Sequence, residues 1–121
     1  NLILHLYGNI RQYVISSLGK EEDIRLRDTE FTLQQDYSSS ELIQKLNETV
    51  SEAKTIMLSV DEHELIHVRP VQAYKLSGVH ILVHVTEHFS YHTGQIAFWT
   101  KQVKDKDLAF YTGIDLNQTG K

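Results

Sequence analysis

SGVHILVHVTEHFSYHTGQIAFWTKQVK, residues 77–104, is the stretch on which the fold turns. It opens on Ser77, a residue type that caps helices, and runs to Lys104 without a proline. On a wheel of about 100° per residue with Val85 at zero, Val103 returns to zero, Ile96 lies near +20°, Phe89 near +40°, and Ile81 and Trp99 near −40°. The spacing therefore predicts one long helix with a single apolar stripe facing a core. On the same wheel His92 falls at roughly −20°, His88 at roughly −60°, Gln95 at roughly −80° and His84 at roughly −100°, while His80 and Glu87 point away. His88 and His92 thus face inward, and His84 lies at the boundary. Two imidazoles a turn apart on an apolar face must each find partners for both ring nitrogens where water is excluded. A divalent cation is one solution, and hydrogen bonds between packing residues are the other.

The preceding segments supply the helices against which this one can pack. Leu2, Leu6, Ile10, Tyr13, Val14 and Ser17 recur at helical intervals, giving a first helix over about residues 1–18, with Gly19 where a left-handed helix end favours glycine. His5 and Asn9 share one edge of that helix, so it can bring a third imidazole to His88 and His92. Three neutral imidazoles with open positions suit Zn²⁺, Ni²⁺ or Fe²⁺, and geometry alone does not choose among them. Residues 20–39 lack a sustained period and read as a long ordered loop, in which RLRD (Arg25–Asp28) with Glu30 is a salt-bridged anchor. Ser38 and Glu41 have capping-box spacing, and a second helix follows over about residues 39–60, its apolar positions from Leu42 to Val60 belonging to the core.

HELIH, His63–His67, spells the pattern by which a helix offers zinc two histidines and a base. That chemistry needs both histidines on one helix, yet Pro70 disfavours helical backbone at Arg69, and Ile66, Val68 and Pro70 alternate with His67 and Arg69 as in an extended chain. The segment from 61 to 76 is therefore expected to connect helices. The tail, 105–121, is polar apart from LAFY (Leu108–Tyr111), which is expected to pack.

Composition narrows the function classes. A chain of 121 residues, 40% hydrophobic, suits a single domain spanning 1–121. Twelve basic against sixteen acidic residues give a net charge of −4, with no basic stripe for nucleic acid. No apolar run approaches the roughly 18 residues that cross a bilayer, and the first residues show no signal-peptide pattern, so a soluble cytoplasmic protein is expected, without a membrane partner. There is no cysteine, hence no thiolate ligand and no cysteine nucleophile.

Taken together, HLYGNIRQY (5–13), RLRDTEF (25–31), EHFSYHTGQI (87–96) and DLAFY (107–111) resemble the DinB-like, or YfiT-like, metalloenzyme family. The resemblance implies an all-α, up-and-down four-helix bundle, frequently dimeric, with a divalent metal held by His5, His88 and His92, and Asn9, Tyr91 and Gln95 as candidate pocket residues. HELIH has no counterpart in that pattern. The family pattern also has a helix ahead of the one bearing HLYGN. The expectation is thus a bundle with an apolar groove where that helix would lie, completed by homodimerisation. The activity implied is metal-dependent transfer using a low-molecular-weight thiol such as bacillithiol, mycothiol or glutathione, acting on a small-molecule substrate. A metal-dependent hydrolase and a non-catalytic ligand- or partner-binding helical protein are the alternatives. No catalytic acid or base is assignable from the sequence.

Overall fold

The computed structural model describes residues 1–32 and 37–120. Asn1 caps the first helix, α1 (Leu2–Ile10), its side-chain oxygen accepting from the backbone N–H groups of Ile3 and Leu4 at 3.0 and 3.4 Å. The helix continues through a π-helical segment, Arg11–Ser16. Tyr13, Val14 and Ile15 within it are all fully buried. Three successive residues fan around roughly 200° of a helix, so they can all be buried only if the segment has neighbours on several sides.

The turn that ends this helix corrects one expectation. The left-handed residue is Lys20, at φ 60°, not Gly19. Gly19 is required for space instead, because a Cβ there would collide with the carbonyl oxygen of Ile15 and lie 2.8 Å from Ile56 Cδ1. The long loop that follows is also not wholly irregular, since it includes a helical turn, α2 (Thr29–Thr32). Its residues 33–36 lie outside the described residues.

Helix α3 (Ser39–Ser59) starts on a reciprocal cap: the Ser38 hydroxyl accepts from the Glu41 backbone N–H at 3.3 Å, and the Glu41 carboxylate accepts from the Ser38 N–H at 2.7 Å. The expected connector after it is built from regular pieces. Asp61 caps the short α4 (Glu62–Ile66), and β1 (Val68–Val71) pairs antiparallel with β2 (Tyr74–Ser77), Val68 facing Ser77 and Val71 facing Tyr74. Pro70 is tolerated because its partner position, Lys75, is next to the turn-closing pair, where the strand's N–H would point outward. Arg69 is buried and pins the hairpin to α4, donating to the Glu64 carbonyl at 2.7 Å and pairing with its carboxylate at 2.8 Å. His63 and His67 are exposed, and they belong to no metal-capable cluster among the described residues.

Ser77 caps α5 (Gly78–Lys104), its hydroxyl accepting from the His80 N–H. Gly78 lets α5 touch α4, since a Cβ would run into the Glu64 carbonyl. The first helix and its π segment lie centrally, packed against both α3 and α5, which scarcely meet each other. Ile10, Tyr13, Val14, Leu18, Ala53, Val71, Ile81 and Val85 form the core. The chain is mostly helical with one small two-stranded sheet, and among the described residues no helix is long and apolar enough to cross a membrane.

The wheel placed Trp99 and Val103 on a buried stripe, and the structure corrects this: they are 68% and 61% exposed. At 27 residues α5 is roughly 40 Å long and outruns the helix it packs on. The apolar tail knot is largely open as well, with Leu108 half-buried and Phe110 and Tyr111 exposed. Between α3 and α5 runs an apolar groove of about 580 Å³, lined by Val50, Ala53, Met57, Val85, Phe89 and Ala97, with Phe110 at its mouth.

Candidate metal centre

His5 on α1 faces His88 and His92, one turn apart on α5. One ligand-capable atom from each of the three lies within 4.8 Å of the others. His5 Nε2 is 3.0 Å from His88 Nε2, and the His92 ring stands edge-on to both, its centroid 4.9 Å from that of His5 and 4.5 Å from that of His88.

The outer nitrogen of His5 meets a carboxylate. Its Nδ1 lies 2.8 Å from Glu30 Oε2, and both residues are buried. Arg25 grips the same carboxylate with two hydrogen bonds, Nε to Oε1 at 2.7 Å and Nη2 to Oε2 at 3.0 Å, and its Nη1 donates to Gln12 Oε1 at 2.9 Å. Burial alone would raise the Glu30 pKa, but the hydrogen bonds and charges of Arg25 and His5 outweigh it and hold the carboxyl below its usual range. An ionised carboxylate only accepts, so His5 Nδ1 carries the proton and Nε2 presents a lone pair. Arg25 Nη2, 3.3 Å from His5 Nδ1, is then a neighbouring donor and not a partner.

The imidazoles are set neutral mainly by desolvation. Burial lowers the His5 pKa against the opposing pull of Glu30, with Arg25 and His92 adding to the depression. His88 is pushed down to about 4 by burial and by the charges that His5, His92, His84 and Arg25 would set against its own. At His92, Nδ1 donates to Gln95 Oε1 at 2.7 Å, which leaves Nε2 free, and the Gln95 amide donates to the Tyr91 hydroxyl at 3.2 Å. His88 Nδ1 is buried without a partner.

This donor set fits a divalent ion. Two facing imidazole lone pairs repel unless a proton or a cation lies between them. Tetrahedral zinc holds nitrogen ligands about 3.3 Å apart, within a few tenths of an ångström of the His5–His88 spacing.

A second polar rung lies one turn along both helices. Asn9, buried on α1, approaches His84 Nε2 at 3.3 Å, and its side-chain oxygen has no partner. The Tyr13 ring stacks on His84 with centroids 4.2 Å apart, and its hydroxyl donates to Gln72 Oε1 at 2.7 Å. Burial lowers the His84 pKa, opposed by Glu87. Of the three expected pocket residues, Asn9 is therefore committed to His84, Gln95 holds His92, and Tyr91 lies edge-on to His92 on the exposed rim. His84, read as a boundary residue, is part of the wall.

The sequence reading missed what Glu30 does. It sits in an aperiodic segment, where no wheel can aim it, and only its pairing with Arg25 was anticipated. The signal available was Gly8: a Cβ there would collide with Glu30 Oε1 and approach Arg25 Nε at 2.9 Å, so the helix must be bare where the carboxylate passes beneath it.

No curated protein and no solved structure matches this chain. A family model described as "Protein of unknown function (DUF1572)" matches residues 1–114, a span that carries every histidine together with Arg25 and Glu30. The chain belongs to the DUF1572 family.

Proposed function

We propose that this protein is a divalent-metal-dependent enzyme of the DinB-like kind, in which His5, His88 and His92 hold Zn²⁺, Ni²⁺ or Fe²⁺ and a low-molecular-weight thiol is the cosubstrate. The observation that carries this reading is the convergence of the three imidazoles, with His5 and His88 kept neutral and the outer nitrogens of His5 and His92 tied to Glu30 and Gln95. A divalent ion supplies Lewis acidity there, by which a thiol becomes an effective nucleophile at neutral pH. The chain contributes no sulfur of its own, having no cysteine, so the thiol must come from a small molecule. Gln95 and Tyr91 hold the exposed rim where that molecule enters, and the wall made by Asn9, His84 and Tyr13 lies one turn deeper.

The hydrolase alternative has less support. It needs a carboxylate free to take a proton beside the histidines. Glu87 is exposed on the far face of α5, and Glu30 is occupied by His5 and Arg25. The non-catalytic alternative draws on the apolar groove between α3 and α5. A homodimer is part of the same proposal: Phe98, Trp99 and Val103 continue the exposed apolar surface of α5 beyond the groove, where a second copy can cover them.

The test is thiol consumption in the presence of an aryl halide, with metal-loaded protein and with His88→Ala treated in the same way. Turnover that requires metal and disappears in the variant supports the transferase. Metal binding without turnover for glutathione, bacillithiol or mycothiol counts against it.

A further inference from the structure

We infer that Glu30 is a positioning residue for the three-histidine centre: its carboxylate fixes the tautomer of His5 and aims His5 Nε2 at the ion, and Gly8 is the gap in the helix that lets it do so. The inference rests on the metal reading above and assigns a task to residues outside the ligand set.

The geometry separates this role from simple anchoring. A salt bridge that only tied the loop to α1 would be complete with Arg25 and Glu30, whose side chains are 4% and 8% exposed and joined by two hydrogen bonds. Neither His5 nor a bare helix would be needed. Instead Oε2 accepts from both Arg25 and His5, and α1 carries glycine at the one place where the carboxylate closes under it. A neutral imidazole next to an apolar wall can adopt either tautomer, whereas a carboxylate at 2.8 Å from Nδ1 admits only the one with its lone pair on Nε2. That nitrogen is the one facing His88 at 3.0 Å. The Arg25 guanidinium balances the carboxylate, so the pair adds orientation without net charge. Gln12 extends the brace, holding Arg25 at 2.9 Å and Asp23 at 2.8 Å.

Carboxylates that hold a ligating histidine from behind change metal affinity by about 10- to 100-fold when removed. The experiment measures Zn²⁺ affinity by chelator competition for the full chain, for Glu30→Gln and Gly8→Ala, and for Arg69→Met as a control. The control breaks a buried ion pair far from the histidines. Glu30→Gln removes the charge while keeping the shape, and Gly8→Ala keeps every charge and ligand while displacing the carboxylate. The expected result is affinity weaker by about 10- to 100-fold in both, with Arg69→Met within about twofold of the parent although its melting temperature falls. Long-range ¹H–¹⁵N spectra of the metal-free parent supply a readout that needs no variant to fold, and they should show His5 protonated at Nδ1. Parent-like affinity in Glu30→Gln and Gly8→Ala, or a His5 proton on Nε2, overturns the inference while leaving the metal reading intact. Absence of Zn²⁺ binding by the parent overturns both.

Discussion

His88 shows how strongly a single side chain is constrained by its surroundings. Its folded pKa is about 4 because burial and neighbouring cationic forms oppose protonation, whereas a free imidazole titrates near 6.5. Between those values the unfolded chain binds a proton that the native chain refuses, so the stability of the metal-free protein falls as pH drops from about 6.5 to about 4. His5 and His84 are lowered in the same direction, and the lowered Glu30 extends the loss below its ordinary titration range. His88 alone contributes on the order of 2–3 kcal/mol after allowance for partial exposure. Urea denaturation of metal-free protein across this range should show that decline, and His88→Phe should flatten much of it. A flat profile in the parent would mean that these imidazoles are solvated. At this scale the sequence was informative wherever a residue sat on a periodic helix, as His88 and His92 do, because the wheel fixes which face they share. Glu30 was not legible in that way, since its direction depends on how a loop without a period folds back over Gly8.

Elements were legible to the extent that local chemistry decides them. The cap of α3 follows from Ser38 and Glu41 alone, and Pro70 correctly ruled out a helix through HELIH. What replaced that helix, a hairpin closed at Gln72 and Ala73 with Gln72 at φ 53°, carries none of the usual glycine or asparagine turn residues and is held by the Arg69 contacts and the Tyr13–Gln72 bond. The end of the first helix was misread for a related reason. Glycine was assigned to the left-handed position, whereas it serves close packing against α3. Gly19→Ala should therefore destabilise by about 2–3 kcal/mol, as overpacking does, while Lys20→Gly should stabilise by about 0.5–1 kcal/mol by relieving the left-handed conformation at a small loss of an exposed ion pair with Glu64. Thermal melts of the two variants separate these roles. The opposite signs would restore the original reading of Gly19.

At the scale of the whole molecule, periodicity gave the direction of the α5 apolar face but not the extent of its cover. A wheel reports which residues share a side, and only the lengths of neighbouring helices decide how far burial reaches. Beyond Phe89 the face is open, with Trp99 mostly solvated and the groove beside α3 unfilled by the described residues. If a second copy covers it, Trp99 fluorescence should shift to the blue with rising protein concentration, in step with a dimer in sedimentation equilibrium. A monomer with solvent-like Trp99 emission at all concentrations would remove dimerisation from the account.

The central claim is that His5, His88 and His92 form a metal site and that HELIH does not. The most direct measurement is metal content by plasma mass spectrometry on untagged protein, beside His92→Ala and His63→Ala. The account predicts near-stoichiometric divalent metal in the parent and in His63→Ala, and its loss in His92→Ala. Metal lost only in His63→Ala, or absent from all three after supplementation, would contradict it.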